Sequence, residues 1–129
     1  MVAMDKQQLK PGIKKASVAT EFSTAERCFI SEIANDSDDN EVSIARARVA
    51  PGVTTAWHKL KGITERYLII EGEGRVEVEG LEPTHVAVGD VVRIPAEIAQ
   101  RITNIGKIDL VFYCICSPPF QQEYYETLE

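Results

Sequence analysis

Apolar and polar residues alternate in short runs along most of the chain, and turn residues interrupt these runs at roughly ten-residue intervals. This pattern predicts β-strands, because successive side chains of a strand face opposite sides. No stretch shows sustained helical periodicity. The predicted strands are 27–34, 42–49, 54–60, 66–70, 75–80, 84–88, 91–95, 100–103 and 109–116. Such a series of short strands is typical of an all-β sandwich or barrel.

Turn residues separate the predicted strands and mark the limits of the domain. The run 35–40 contains only Asn, Asp and Ser, which favours a loop, and the glycines of 71–74 permit the positive φ angles of a tight hairpin. A chain of 129 residues suits one domain. We therefore expect an N-terminal arm over 1–22, a barrel over 23–117 and a C-terminal tail over 118–129.

The first of two glycine-framed segments carries most of the candidate chemistry. It begins at Gly52 and ends at Gly72, and it contains His58, Leu60 and Glu65. Histidine and glutamate supply the imidazole nitrogen and the carboxylate oxygen that bind transition metals or transfer protons in proteins. This segment therefore indicates a functional site.

The second segment runs from Gly89 to Asn104, with Pro95 and Gln100 between them. Together the two segments resemble the two-motif signature of the cupin superfamily, with its spacing intact. The resemblance implies an all-β fold, namely a single cupin β-barrel of the double-stranded β-helix or jelly-roll-like type. In that family the first motif supplies two histidines and a glutamate, and the second supplies one histidine, to hold one metal ion inside the barrel.

The resemblance carries over to the metal ligands only in part. His58 and Glu65 occupy two of the four positions, whereas Leu60 and Gln100 stand where the other two histidines belong. The implied metal is a divalent transition ion such as manganese, iron or zinc, bound by His58, Glu65 and Gln100. Because an isobutyl group binds no metal and an amide oxygen binds it poorly, we expect binding to be weak or absent.

Strand periodicity predicts which side chains share the barrel interior. Residues two apart on a strand face the same side, so His58 lies beside Leu60 and Glu65 lies beside Tyr67. If the interior is the face of His58, it contains an imidazole, a carboxylate, a phenol and the amide of Gln100. We predict His58 and Tyr67 as catalytic residues, and Leu60 and Gln100 as substrate-binding residues.

Arg46 and Arg48 also share one face of a predicted strand, and we include them among the predicted substrate-binding residues. If they point inward, their guanidinium groups bind a carboxylate or a phosphate through paired hydrogen bonds. If they point outward, they form salt bridges on the sheet surface or at a dimer contact. Strand parity does not distinguish these two arrangements.

Charge and cysteine usage restrict the partners and the compartment. Acidic residues outnumber basic ones by 20 to 14, and the net charge of −6 disfavours nucleic acids and anionic membranes. The sequence shows neither a secretory signal nor an apolar run long enough to span a membrane. Cys28, Cys114 and Cys116 are an odd set, so we expect reduced thiols and a cytoplasmic protein. Cys114 and Cys116 share a strand face and are expected to be buried.

The resemblance leaves three hypotheses for function. One is a metal-assisted enzyme, such as a dioxygenase, decarboxylase or isomerase that acts on a small organic acid or sugar. Another is a metal-free isomerase or epimerase in which His58, tuned by Glu65, is the base and Tyr67 the proton donor. The third is a non-catalytic ligand-binding or sensor module, which Leu60 favours because it makes the site apolar. Edge strands need cover, so we also expect a homodimer.

Overall fold

The structure, a computed structural model, describes residues 8–17 and 20–129. Residues 8–17, 20 and 21 belong to no helix or strand. The rest of the predicted N-terminal arm, residues 1–7 and 18–19, lies outside the described residues. The C-terminal segment 118–129 contains a short 3-10 helix and a strand, which places it against the sheets.

The described residues form eleven strands and one short helix, which we number in chain order. The strands are β1 (Phe22–Ser23), β2 (Phe29–Ala34), β3 (Ser43–Val49), β4 (His58–Leu60), β5 (Thr64–Glu71), β6 (Glu73–Val78), β7 (Thr84–Ala87), β8 (Val91–Ile94), β9 (Gln100–Asn104), β10 (Leu110–Ser117) and β11 (Tyr125–Thr127). The 3-10 helix spans Gln122–Tyr124. The expectation of an all-β fold is confirmed.

Two antiparallel sheets contain these strands. The larger sheet has the order β1-β2-β3-β10-β5-β8, and the smaller has the order β11-β4-β9-β6-β7. Chain neighbours are often not sheet neighbours, so the chain crosses repeatedly from one sheet to the other. Of the described helices, none has the length and apolar character needed to cross a membrane.

The core lies between the two sheets and follows from strand alternation. Val49, Ile69 and Leu110 of the larger sheet pack in one cluster with Val76 and Ile102 of the smaller sheet. Each of these side chains is almost fully buried. Alternate residues of these strands point into the space between the sheets, and most of the buried ones are apolar.

The structure differs from the sequence prediction in the segment before His58. We predicted a strand over 54–60, but the ladder begins only at His58, and Thr54 makes a single bridge to Thr103. The amide of Thr55 donates to the carbonyl of Ile102, whereas that of Ala56 donates to the carbonyl of Glu26. Because these partners belong to different segments, no continuous ladder forms. The short strands β1 and β11 were not predicted.

Gly72 and Gly52 provide a stability test of the hairpin geometry. Both residues have φ near +80°. A Cβ atom at Gly72 would lie 2.5 Å from the backbone oxygen of Asp109, whereas a Cβ atom at Gly52 would have no atom within 4 Å. We expect Gly52→Ala to lose about 1–2 kcal/mol of unfolding free energy, the cost of a left-handed residue. Gly72→Ala should lose clearly more in urea denaturation. Equal losses would contradict the close approach.

Candidate functional site

A cavity of about 300 Å³ lies between the sheets and is the candidate site. Its size falls at the lower end of the range for small-molecule pockets, roughly 300–1,000 Å³. The larger sheet contributes Ala47 and Cys114 to its wall, β4 contributes His58, and the C-terminal segment contributes Phe120 and Tyr125. Residues from both sheets and from the C-terminal segment therefore enclose one space.

His58 is buried in the cavity wall, and contacts on three sides fix its ring. Its Nδ1 lies 2.8 Å from the carbonyl oxygen of Ala56, and its ring stacks on that of Tyr125 with centroids 4.9 Å apart. A carbonyl oxygen only accepts hydrogen bonds, so Nδ1 carries a proton. The other nitrogen, Nε2, lies 3.6 Å from Oε2 of Glu26. This separation brings an imidazole and a carboxyl group together but is too long for a hydrogen bond between them.

Glu26, in the turn between β1 and β2, is a functional residue that the sequence did not reveal. Its backbone carbonyl accepts a hydrogen bond from the amide of Ala56, which fixes the turn beside His58. Burial raises the pKa of the Glu26 carboxyl, and the charge of His58 partly opposes this shift. The residue lies outside both motifs, and no local spacing signals a contact between residues 26 and 58.

Glu65, Tyr67 and Gln100 form one buried hydrogen-bonded chain. The Tyr67 hydroxyl donates to Oε1 of Gln100, and Nε2 of Gln100 donates to Oε1 of Glu65 over 2.8 Å. Glu65 and Tyr67 belong to the larger sheet and Gln100 to the smaller one, so the chain joins the sheets. Burial is the main cause that raises the pKa of Glu65, and burial with the nearby Glu65 charge raises that of Tyr67. Both shifts favour the protonated form of each group.

These donors do not fit the metal that the resemblance implies. Leu60 offers no ligand atom, and both polar ends of Gln100 are used by Tyr67 and Glu65. Gln100 does not line the cavity, although Leu60, Glu65 and Tyr67 do. Across residues 8–17 and 20–129, no group of three or more His, Cys, Asp or Glu side chains is arranged to bind an ion. We derive no metal-dependent step from this set.

Arg46 and Arg48 face away from the cavity, which corrects their prediction as substrate-binding residues. They alternate along β3 with Ala45 and Ala47, and these two alanines line the cavity. Both arginines instead contact Glu21, at 3.6 Å for Arg46 and 2.7 Å for Arg48. Small apolar side chains occupy the inner face because the cavity needs room there. The long cationic side chains are accommodated at the outer surface.

All three cysteines line the same cavity. Cys28, Cys114 and Cys116 are free, which agrees with the expectation of reduced thiols, and Cys114 and Cys116 share the inner face of β10 as predicted. Burial raises the pKa of each thiol, and the charge of Glu65 raises it further in Cys114 and Cys116. They therefore stay protonated and contribute apolar surface rather than thiolate nucleophiles.

Comparison with known proteins identifies relatives of this fold. The family model described as "Cupin domain" matches residues 45–116. "Uncharacterized protein MJ1618" of Methanocaldococcus jannaschii is 37% identical over 87 residues, which cover 67% of this chain and 69% of that protein. An uncharacterized Klebsiella pneumoniae protein with a double-stranded β-helix domain superimposes with a TM-score of 0.70 at 17% identity, covering 84% of this chain and 90% of the other.

A further structural relative is a predicted oxalate decarboxylase from Thermotoga maritima. Its TM-score is 0.73 at 23% identity, and the match covers 83% of this chain and 99% of that one. At this identity the likeness establishes the fold alone. The double-stranded β-helix expected from the two motifs is confirmed.

The raised pKa of Glu65 predicts how stability depends on pH. The unfolded chain releases this proton near the ordinary glutamate pKa, about 4.3, whereas the folded protein retains it to higher pH. The unfolding free energy therefore falls as pH rises from about 4.3 through the folded pKa. Glu65→Gln removes this loss, so the variant should gain stability relative to the parent as pH rises to neutral.

Urea denaturation over a series of pH values measures this effect. Glu26 titrates with the same sign and remains in the variant, so the slope should become flatter without vanishing. Glu123→Gln is the control, because Glu123 is exposed and lies outside the cavity. A Glu65→Gln variant with the same pH slope as the parent would contradict the assignment.

Proposed function

We propose that this chain, which belongs to the cupin family by the match of its residues 45–116 to the cupin domain, binds a small organic molecule in the cavity between its two sheets. In this proposal, His58 and Glu26 act as an acid–base pair. Apolar, thiol and aromatic side chains make up about half of the cavity lining, and polar or charged side chains make up the rest. A concave wall of this mixed kind can both enclose a small molecule and fix its orientation. The polar groups that reach the space fix where a ligand's reactive or hydrogen-bonding group would lie.

The contact between His58 and Glu26 is the observation that carries this proposal. Both side chains line the cavity, and Nε2 faces Oε2 at 3.6 Å. An imidazole beside a carboxyl group offers a ligand groups that can give and take a proton, which is what general acid–base chemistry requires. The bond from Nδ1 to Ala56 keeps the imidazole in the orientation that directs Nε2 toward Glu26.

This assignment differs from the sequence-based one in the partners of His58. We predicted Glu65 as the group that tunes His58 and Tyr67 as the proton donor. In the structure, His58 contacts the carboxyl group of Glu26, and the Tyr67 hydroxyl donates its proton to Gln100. We therefore assign proton transfer to His58 and Glu26, and we assign Tyr67, Gln100 and Glu65 to holding the cavity wall in place.

The charge of the cavity bears on the ligand class. Three carboxyl side chains and one imidazole line it, and its wall, as far as the structure describes it, includes no lysine or arginine. A small organic acid would meet no opposite charge there except on a protonated His58. Oxalate, which is named for the Thermotoga maritima relative, is an anion. For this protein we propose instead a ligand without negative charge.

We further propose a cytoplasmic homodimer. β8 is an edge strand of the larger sheet, and the apolar residues Val88 and Val91 in and beside it are exposed by 64% and 55%. An exposed apolar edge is a ready pairing surface. Light scattering should give twice the chain mass, and Val91→Lys should shift it toward the single-chain mass. A parent protein that is monomeric at micromolar concentration would contradict the proposal.

The two histidines allow a direct test of ligand binding in the cavity. His58 lines the cavity, whereas His85 is exposed and lies 3.3 Å from Glu73. In an NMR screen of neutral and charged fragments, we expect compounds that enter the cavity to shift the imidazole signals of His58 and leave those of His85 in place. Glu26→Gln should lower the affinity for fragments that contact His58 and Glu26 by about tenfold, because one charge-assisted hydrogen bond is lost.

Two results would count against the proposal. One is a screen in which no fragment shifts the His58 signals. The other is a set of fragments that shift His58 and His85 equally, because this would indicate non-specific surface contact.

A further inference from the structure

We propose that the cavity recognises a small organic cation, such as a protonated or quaternary amine. This inference rests on the proposed function, since it names the class of molecule that the same cavity binds. Two independent features of the lining support it, namely the excess of carboxyl groups over cationic groups and the number of aromatic faces.

The three carboxyl groups lie at different positions in the cavity. Glu65 is buried on β5, and Glu26 lies opposite His58 in the cavity lining. Glu32 on β2 is exposed, so it lies where the cavity meets solvent. Oε2 of Glu32 accepts a hydrogen bond from Asn35 over 3.2 Å. The cavity therefore has carboxyl groups both in its buried part and at its exposed margin.

The protein itself supplies too little positive charge for these carboxyl groups. The salt bridge of Glu26 is to His58, and the side-chain partners of Glu65 are the amide of Gln100 and, at 3.8 Å, the thiol of Cys116. Buried carboxyl groups are retained at a cost in solvation unless an opposite charge compensates them. An ammonium ligand would supply that charge and so favour the ionised form of the carboxyl groups against the effect of burial.

Aromatic side chains provide the second feature. Two aromatic pairs adjoin the cavity: Tyr125 stacks on His58, and Tyr67 packs against Phe112 with ring centroids 4.4 Å apart. Phe22 and Phe120 add two more rings to the lining. Ring faces attract cations, most strongly away from water, and several rings around one space are typical of sites that bind quaternary ammonium groups.

The volume of the cavity limits the size of the cation. A water molecule occupies about 30 Å³, so a cavity of about 300 Å³ has room for an amine of roughly ten non-hydrogen atoms. Choline falls within this limit and carries a trimethylammonium group. It also has a neutral isostere, the alcohol in which a tert-butyl group replaces the trimethylammonium group, so it separates charge from shape.

Calorimetric titration of three probes tests the inference. The probes are choline, its tert-butyl isostere and the carboxylate formed by oxidising that isostere. We expect choline to bind at least about tenfold more tightly than the neutral isostere, because only the cation gains from the carboxyl groups and the rings. The carboxylate should bind most weakly. The His58 NMR signals report whether each probe occupies the cavity.

Charge-neutral variants locate the effect. Glu32→Gln should lower the affinity for choline severalfold and leave that for the neutral isostere unchanged. Glu123→Gln, on the exposed 3-10 helix, is the control and should change neither affinity.

The outcomes separate this inference from the proposed function. If the neutral isostere binds as tightly as choline and shifts His58, cation recognition is wrong but small-molecule binding stands. If no probe shifts His58 while other fragments do, cation recognition is again wrong and small-molecule binding again stands. If neither the probes nor any fragment shifts His58, both proposals are wrong.

Discussion

The side-chain amide of Gln100 is the contact on which the rest of the site depends. From the smaller sheet it accepts a hydrogen bond from Tyr67 and donates one to Glu65, both in the larger sheet. A buried amide is stable only when its polar atoms are paired, so these bonds hold the two sheets in one register. They also occupy both polar ends of Gln100, and Leu60 offers no ligand atom. We therefore propose that the reactive chemistry of the cavity lies with His58 and Glu26.

The position of that pair is a consequence of backbone pairing. The turn that carries Glu26 is fixed to the segment before β4 by the bond between its carbonyl and the amide of Ala56, and the carbonyl of Ala56 in turn orients the ring of His58. Two successive carbonyl contacts thus place a carboxylate and an imidazole at the same point of the cavity wall. Tyr125, from the C-terminal segment, covers the other side of the imidazole. The proposed acid–base pair and its surroundings therefore come from three distant parts of the chain.

Local features of the sequence were sufficient for most of the fold and for part of the site. Strand alternation and turn residues are properties of neighbouring residues, so the strands, and the shared cavity face of His58 and Tyr67, could be predicted. Contacts between sheets depend on packing between segments distant in the chain, which is why Glu26 was missed. Parity placed Arg46 and Arg48 on one face but did not determine which face, because that depends on the space available inside.

We infer that hydrogen bonds between side chains occupy the place that metal ligands hold in related motifs. Plasma mass spectrometry of the untagged protein, beside a variant in which His58 and Glu65 are both replaced by alanine, measures the metal content that tests this inference. We expect neither protein to contain a transition metal in an amount near its own concentration. Near-stoichiometric metal in the parent and its absence from the variant would show instead that His58 and Glu65 bind a metal ion.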